Sequence, residues 1–247
     1  MKNLLKKIAI AAAIAGTVSA ANATIVGVAN LTFGFVRVTT GNIDWNGPGI
    51  TNNNPPPVGL GTSYGGFSTD SVVNTGSFAA GPFTGITTGL IQDMSATPGQ
   101  GNFVPVGASL TEKFLQFTAQ PLWQFDALFL FPGSPIPAAP FVLTQQGSNV
   151  SATISLDGLA CDGNGGNGVC DLGIDDVSKW TGVFSAQYTN TTIAALTALL
   201  SAPGGGSLPN NTWSGTIEAR AIPEPASIAL LGLGLVGLAA SRRRTAK

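Results

Sequence analysis

Val150, Ala152, Ile154 and Leu156 fall on one side of an extended chain, and Ser151, Thr153, Ser155 and Asp157 on the other. Trp213, Gly215, Ile217 and Ala219 stand in the same relation to Ser214, Thr216, Glu218 and Arg220. Successive side chains of a strand point to opposite faces, so this period of two builds a sheet with one dry and one wet face. Leu31-Thr32-Phe33-Gly34-Phe35 alternates and runs on through Val36-Arg37-Val38-Thr39, while Phe114–Phe117 and Leu122–Phe125 alternate in part. Ala127–Phe131 is a continuous apolar run, suited to a strand buried on both faces. Many short segments of this kind, cut by Gly, Pro and Asn, predict an all-β domain, a β-sandwich or related jelly roll. One stretch departs from the pattern. Ile193, Leu196, Leu199 and Leu200 recur at helical spacing before Pro203-Gly204-Gly205-Gly206, which predicts one short helix bridging two strands. Asn52-Asn53-Asn54-Pro55-Pro56-Pro57 reads as a stiff polar loop.

The wet faces carry Ser, Thr and Asn in place of charge. Only 9% of the 247 residues are charged, against about 25% in an ordinary soluble protein. That excludes a basic nucleic-acid binder, a coiled coil and a charge-rich disordered chain. Histidine is absent, which removes His acid–base catalysis, Ser-His-Asp chemistry and His-ligated metal.

The formal charge of −1 is an average over unlike parts. Lys2, Lys6 and Lys7 precede an apolar run from Ile8 to Val18, and Ala21-Asn22-Ala23 follows. A basic start, a short apolar stretch and an A-x-A site form a secretory signal peptide, with Ala21 and Ala23 at the cleavage site and Thr24 as the first mature residue. At the other end, Ala226–Ser241 has no charge and no proline, and Arg242-Arg243-Arg244 closes it. As a helix it spans on the order of 24 Å, short for a bilayer core unless the Arg stems snorkel. The Arg cluster predicts that this end stays cytoplasmic and the body lies outside. Between the two ends, four basic residues (Arg37, Lys113, Lys179, Arg220) against eleven acidic ones leave Thr24–Ala221 with a net charge of −7. The chain therefore divides into a signal peptide (1–23), a β-rich ectodomain (24–221) and a C-terminal signal (222–247).

Pro223-Glu224-Pro225, the short Gly/Leu-rich apolar stretch and Arg242, Arg243 and Arg244 together resemble the PEP-CTERM sorting signal of Gram-negative bacteria. The resemblance implies an exosortase-type membrane protease and transpeptidase as partner, acting near Pro223-Glu224-Pro225. Transient anchoring, removal of the helix and delivery to the cell surface or the extracellular space would follow. It also implies an association with exopolysaccharide and biofilm. A plain membrane anchor is the competing reading. The body resembles a recurrent ectodomain type of that group through Ser77-Phe78-Ala79, Pro140-Phe141-Val142-Leu143-Thr144 and Trp180–Tyr188, a likeness that brings no catalytic residues with it. Gly232-Leu233-Gly234-Leu235-Val236-Gly237 matches a dinucleotide fingerprint, but such a site needs a preceding strand and an acidic residue about 20 positions on. Close helix packing in a membrane suits it better.

Candidate chemistry in the body centres on Cys161-Asp162-Gly163-Asn164-Gly165-Gly166-Asn167-Gly168-Val169-Cys170-Asp171. Export predicts a Cys161–Cys170 disulfide pinning a glycine-rich loop. Asp162, Asn164, Asn167, Asp171 and Asp175, with Asp176, offer the hard oxygens calcium takes. The EF-hand order fails, however, because Asn167 stands where Gly is needed and Gly173 where Glu is needed. No other cofactor is implied. Glu112, Asp126 and Glu218 are the carboxylates a glycoside hydrolase would draw on, although no spacing pairs them. Trp45, in Asp44-Trp45-Asn46-Gly47, has a loop-like context and is the best sugar-stacking candidate, ahead of Tyr64, Trp123, Trp180 and Trp213. Asn-x-Ser/Thr occurs at Asn30, Asn149, Asn190 and Asn210, in a chain rich in all three residues. The expectation is a non-catalytic exported surface or matrix protein. The alternatives are a carbohydrate-binding module and, behind it, a secreted hydrolase.

Overall fold

The computed structural model describes residues 24–46, 64–95, 102–103, 111–136, 139–162, 170, 176–203 and 206–222. The expected signal peptide (1–23), residues 52–57 and everything after Ile222 lie outside them.

Twelve strands follow in chain order: β1 (Gly27–Val38), β2 (Asn42–Asn46), β3 (Tyr64–Asp70), β4 (Ile86–Gln92), β5 (Met94–Ser95), β6 (Asn102–Phe103), β7 (Thr111–Phe117), β8 (Gln120–Leu130), β9 (Val142–Gln146), β10 (Asn149–Cys161), β11 (Ser178–Tyr188) and β12 (Asn211–Ala221). Helix α1 (Ile193–Leu200) stands between β11 and β12. Neighbours run β12-β11-β10-β8-β7-β4-β3-β1, and β1 pairs back onto β12 from Gly27↔Ala219 to Val36↔Asn211. Every one of these pairings is antiparallel. The result is a closed eight-stranded barrel. β2 continues the wall beside the second half of β1, and β9 takes over from β8 beside the first half of β10.

The expected all-β class with one short helix is therefore present, but the sandwich or jelly roll is not. Period-two alternation is common to sandwiches and barrels. What separates them is the pairing of the first strand with the last, a contact between chain ends that periodicity does not encode.

Seen by strand direction, the barrel has two ends. β1, β4, β8 and β11 start at one, and β3, β7, β10 and β12 finish there. Its seam is narrow. β1 and β3 share only Leu31↔Thr69 and Thr32↔Ser68. Below that point residues 73–77 replace the missing strand. Asn74 Oδ1, Thr75 Oγ1 and Ser77 Oγ accept from the amides of Asn30, Val28 and Val26 at 2.9, 3.0 and 3.1 Å, and the Thr75 and Ser77 amides donate back to Val28 and Val26 carbonyls. Gly27 and Gly76 meet so closely here that a Cβ on either would overlap the other segment's backbone, and both have positive φ (125° and 59°).

The inner face is a continuous aromatic column. Trp45 lies 4.9 Å from Trp213 and 5.4 Å from Phe184 between ring centroids. The chain continues through Phe114, Trp180 and Phe125 to Phe117, Phe78 and Trp123. Inward glycines make room for the rings: a Cβ on Gly182 or Gly215 would overlap Phe184, on Gly89 Phe67, and on Gly34 Trp213. Small and large residues thus alternate across the interior, as a filled small barrel requires. Outward positions on β11 and β12 are Lys179, Thr181, Val183, Gln187 and Thr212, Ser214, Thr216. This is the reverse of a membrane barrel, whose apolar band faces out.

At the far end, Leu196 and Leu200 of α1 and Leu208 are buried as a plug. Thr192 caps the helix by accepting from the Ala195 amide at 3.2 Å. Gln145 Oε1 accepts from Ile193 N at 3.1 Å, while its amide donates to the Gly147, Asn149 and Thr191 carbonyls.

Candidate functional site

The barrel end at which both termini of the described body lie is the candidate site. Ile25 is buried there, one residue after Thr24. β10 ends at Cys161 and β11 begins at Ser178, and the connection between them is closed by a Cys161–Cys170 disulfide with Cα atoms 5.5 Å apart. Cys161, Cys170 and Val177 form a small buried cluster separate from the barrel core, with Leu159 and Ile222 packed against it. Cys170 Sγ lies 3.9 Å from the Gln124 carbonyl oxygen, which sets the clasp against β8.

Just above the clasp, the Trp180 indole ties three strands. Its Nε1 donates to the Asp126 carbonyl on β8 at 3.0 Å and to the Leu159 carbonyl on β10 at 3.1 Å. Position 158 must be glycine for this, since a Cβ would overlap both the Asp126 carbonyl and the indole. β12 closes the corner through Lys179↔Arg220 and Ser178↔Ala221. Arg220 also pairs with Glu218 at 2.8 Å on the outer wall. Such an exposed pair contributes little stability.

The chain leaves β12 at Ala221, and Ile222 rests on the clasp. The PEP-CTERM protein-sorting motif matches residues 221–244. This chain carries that motif. Export, membrane transit in a Gram-negative cell and processing by an exosortase-type enzyme are what the motif implies. The match begins at the last residue of β12, so the barrel and the sorting signal meet with no spacer between them. No curated protein and no solved structure matches the chain.

Pro223, Glu224, Pro225, Arg242, Arg243 and Arg244 lie outside the described residues, as do Ala21 and Ala23. Among the described residues no helix is long and apolar enough to cross a membrane, and the apolar stretch 226–241 is not among them. Asn164, Asn167, Asp171 and Asp175 also fall outside, which leaves Asp162 and Asp176 as the described members of the calcium set. Among the described residues no group of three metal-ligating side chains gathers.

Trp45 requires a correction. It sits in β2, not in a loop, and is fully buried against Trp213 and Phe184. Its amide donates to Asp93 Oδ1 at 2.7 Å. An indole with both faces inside the aromatic column has none left for a sugar ring. Trp123 and Trp213 are buried as their strand patterns indicate, and Trp180 is buried as well; the gap beside Trp45, Phe184 and Trp213 is too small for a water molecule. Asp126 is buried too, and its Oδ1 accepts from the Lys113 amide at 2.7 Å, supporting the left-handed turn at Lys113 (φ 55°). Glu218 stands three strands away around the wall, roughly 14 Å by strand spacing. The two carboxylates are not brought together.

Sequence reasoning missed the contact between the clasp and Ile222. A trace was legible: Leu159 interrupts the polar row Ser151, Thr153, Ser155 and Asp157 at an outward position, and Leu159 and Ile222 cover the same cluster.

Proposed function

We propose that this chain is an exported, non-catalytic barrel that is tethered by its C-terminal segment, cut near Pro223-Glu224-Pro225 and passed to the cell surface or the surrounding matrix. The observation that carries the reading is the sorting motif at 221–244 starting where β12 stops. A barrel held by a self-contained aromatic column keeps its fold when everything beyond Ile222 is removed, as a cargo domain must. The non-catalytic part of the proposal draws support from the filled interior. Pocket chemistry needs a concave, solvent-reachable cavity, and the aromatic column occupies the space where a barrel enzyme or lipocalin-like binder would hold one. The Arg cluster orients the tail with its end in the cytoplasm and the barrel outside. Association with exopolysaccharide would run over the outer wall of Ser, Thr and Asn, because the tryptophans are inside.

Glu224→Ala tests the routing. The variant is expected to accumulate uncleaved in the inner membrane, and normal release of it would remove the sorting claim.

A further inference from the structure

The described large apolar side chains left exposed are unevenly distributed. Val72, Val73, Ile86 and Leu122 are 58–83% exposed, while Phe35, Phe131, Val142, Val183 and Leu199 lie between 36% and 49%. All four of the most exposed stand at the end from which the sorting motif leaves. Val72 and Val73 occupy the β3–β4 connection, Ile86 opens β4, and Leu122 is the third residue of β8.

They are presented by ordered chain. Asp70 Oδ1 accepts from the Val72 amide at 3.0 Å and the Asp70 carbonyl from the Val73 amide at 3.1 Å. Ser71 and Gly85 exchange hydrogen bonds of 3.1 and 2.9 Å across the mouth of the connection, beside the Asp70↔Ile86 pair. The turn therefore holds the valines and Ile86 outward.

The tether leaves this end little freedom. β12 is paired up to Ala221 and Ile222 packs on the disulfide cluster, while the apolar stretch opens at Ala226. From Ile222 to Ala226 an extended chain reaches about 14 Å at most. The headgroup layer is itself roughly 5–8 Å thick on each side of the hydrocarbon core. With the tail inserted and that layer crossed, at most about 6–9 Å of reach is left, so the barrel end is held close to the surface of the layer.

We infer that this end is a membrane-seating surface: while the tail is attached, Val72, Val73, Ile86 and Leu122 enter the interface of the phospholipid bilayer and hold the barrel upright over the Pro223-Glu224-Pro225 segment. The inference rests on the tethering proposed above. The apolar residues stand on the β8, β4 and β3 side of that end, across the rim from the β12 exit, and the tail brings lipid to them whatever other protein is present. Membrane burial of a few aliphatic side chains is reversible, so the cleaved barrel leaves freely.

The test uses the exported chain with its tail attached, reconstituted into phosphatidylcholine vesicles brominated near the glycerol end of the acyl chains. A tryptophan is placed by Val72→Trp, Leu122→Trp or, at the far end, Leu199→Trp. All three positions are exposed, and the native tryptophans are buried in the barrel as a constant background. The added emission is expected to be lost at Val72→Trp and Leu122→Trp and retained at Leu199→Trp. A chain that floats with the vesicles but keeps its emission at residue 122 overturns the seating while leaving the tether intact. A change at residue 122 on adding the exosortase-type enzyme then assigns the surface to that protein instead. A chain that does not float with the vesicles overturns the tether and the seating together.

Discussion

Ala221 pairs with Ser178 across the β11–β12 ladder, two residues before Pro223. The sorting signal therefore hangs from a hydrogen-bonded strand and not from a linker. Folding of the barrel and presentation of the signal are joined at that corner, with the Cys161–Cys170 clasp beneath Ile222.

Replacing both cysteines by serine is expected to lower stability by about 2–3 kcal/mol, the chain-entropy value for a loop of about ten residues. The urea midpoint should fall with the barrel still folded. Proteolysis should then cut near Ile222 faster than in the parent, since the cluster that holds it has lost its core. A double variant with unchanged midpoint and unchanged protection would remove the clasp from the account.

Gly215→Ala places a methyl against the Phe184 ring, which is fully buried and flanked by Trp45, Trp213 and Phe114. The expected cost is about 1–3 kcal/mol of overpacking. Combining it with Phe184→Leu should recover part of that cost. The coupling is read from a double-mutant cycle in denaturant, and strict additivity would show that the ring does not need the glycine.

Burial pushes the Tyr188 hydroxyl up from 10.0 to about 12. The hydroxyl has no hydrogen-bond partner among the described residues. Below pH 10 the side chain is neutral in both folded and unfolded states, and its contribution is fully present. Between about pH 10 and 12 only the unfolded chain ionises, so stability should fall by up to about 1.4 kcal/mol per pH unit from this group. Tyr188→Phe is expected to flatten that part of the alkaline decline while leaving stability at pH 7 unchanged or raised. Chemical denaturation of the pair from pH 8 to 11.5 measures it.

Trp45→Ala should cost about 3–5 kcal/mol as a large-to-small change in a packed core. Any glycan retention by the parent chain should survive in whatever fraction remains folded. Selective loss of glycan binding at unchanged stability would return Trp45 to the surface role that its Asp44-Trp45-Asn46-Gly47 context suggests.

The strands that carry the wall were the most legible part of the fold. The inward set Val150, Ala152, Ile154 and Leu156 and the set Trp213, Ile217 and Ala219 are buried, because an alternating strand has one way to hide its apolar side. The helix was legible from the spacing of Ile193, Leu196 and Leu200 and the stop that follows. Closure was not, because it depends on Gly27 finding Ala219 and on the side-chain ladder of Asn74, Thr75 and Ser77. Those are polar residues that read as an ordinary loop. Trp45 misled for a related reason: Asn46-Gly47 signals a turn, yet the tryptophan precedes it as an inward residue of β2, like Ile43. The Ala127–Phe131 run was only partly as expected, since Ala127 and Leu130 are buried while Phe131 is exposed. At the site, the disulfide and the sorting motif were readable from residue order. The packing of Ile222 on the clasp needed the third dimension.

The central claim is that the chain is cut close to where the barrel ends. Mass spectrometry of the C-terminal peptide from the exported mature protein tests it most directly. A C-terminus near Pro223–Ala226, alone or carrying an added group, with the Ala226–Ser241 stretch gone, is the predicted result. A mature protein that still ends in Arg242-Arg243-Arg244 and Lys247 would contradict it.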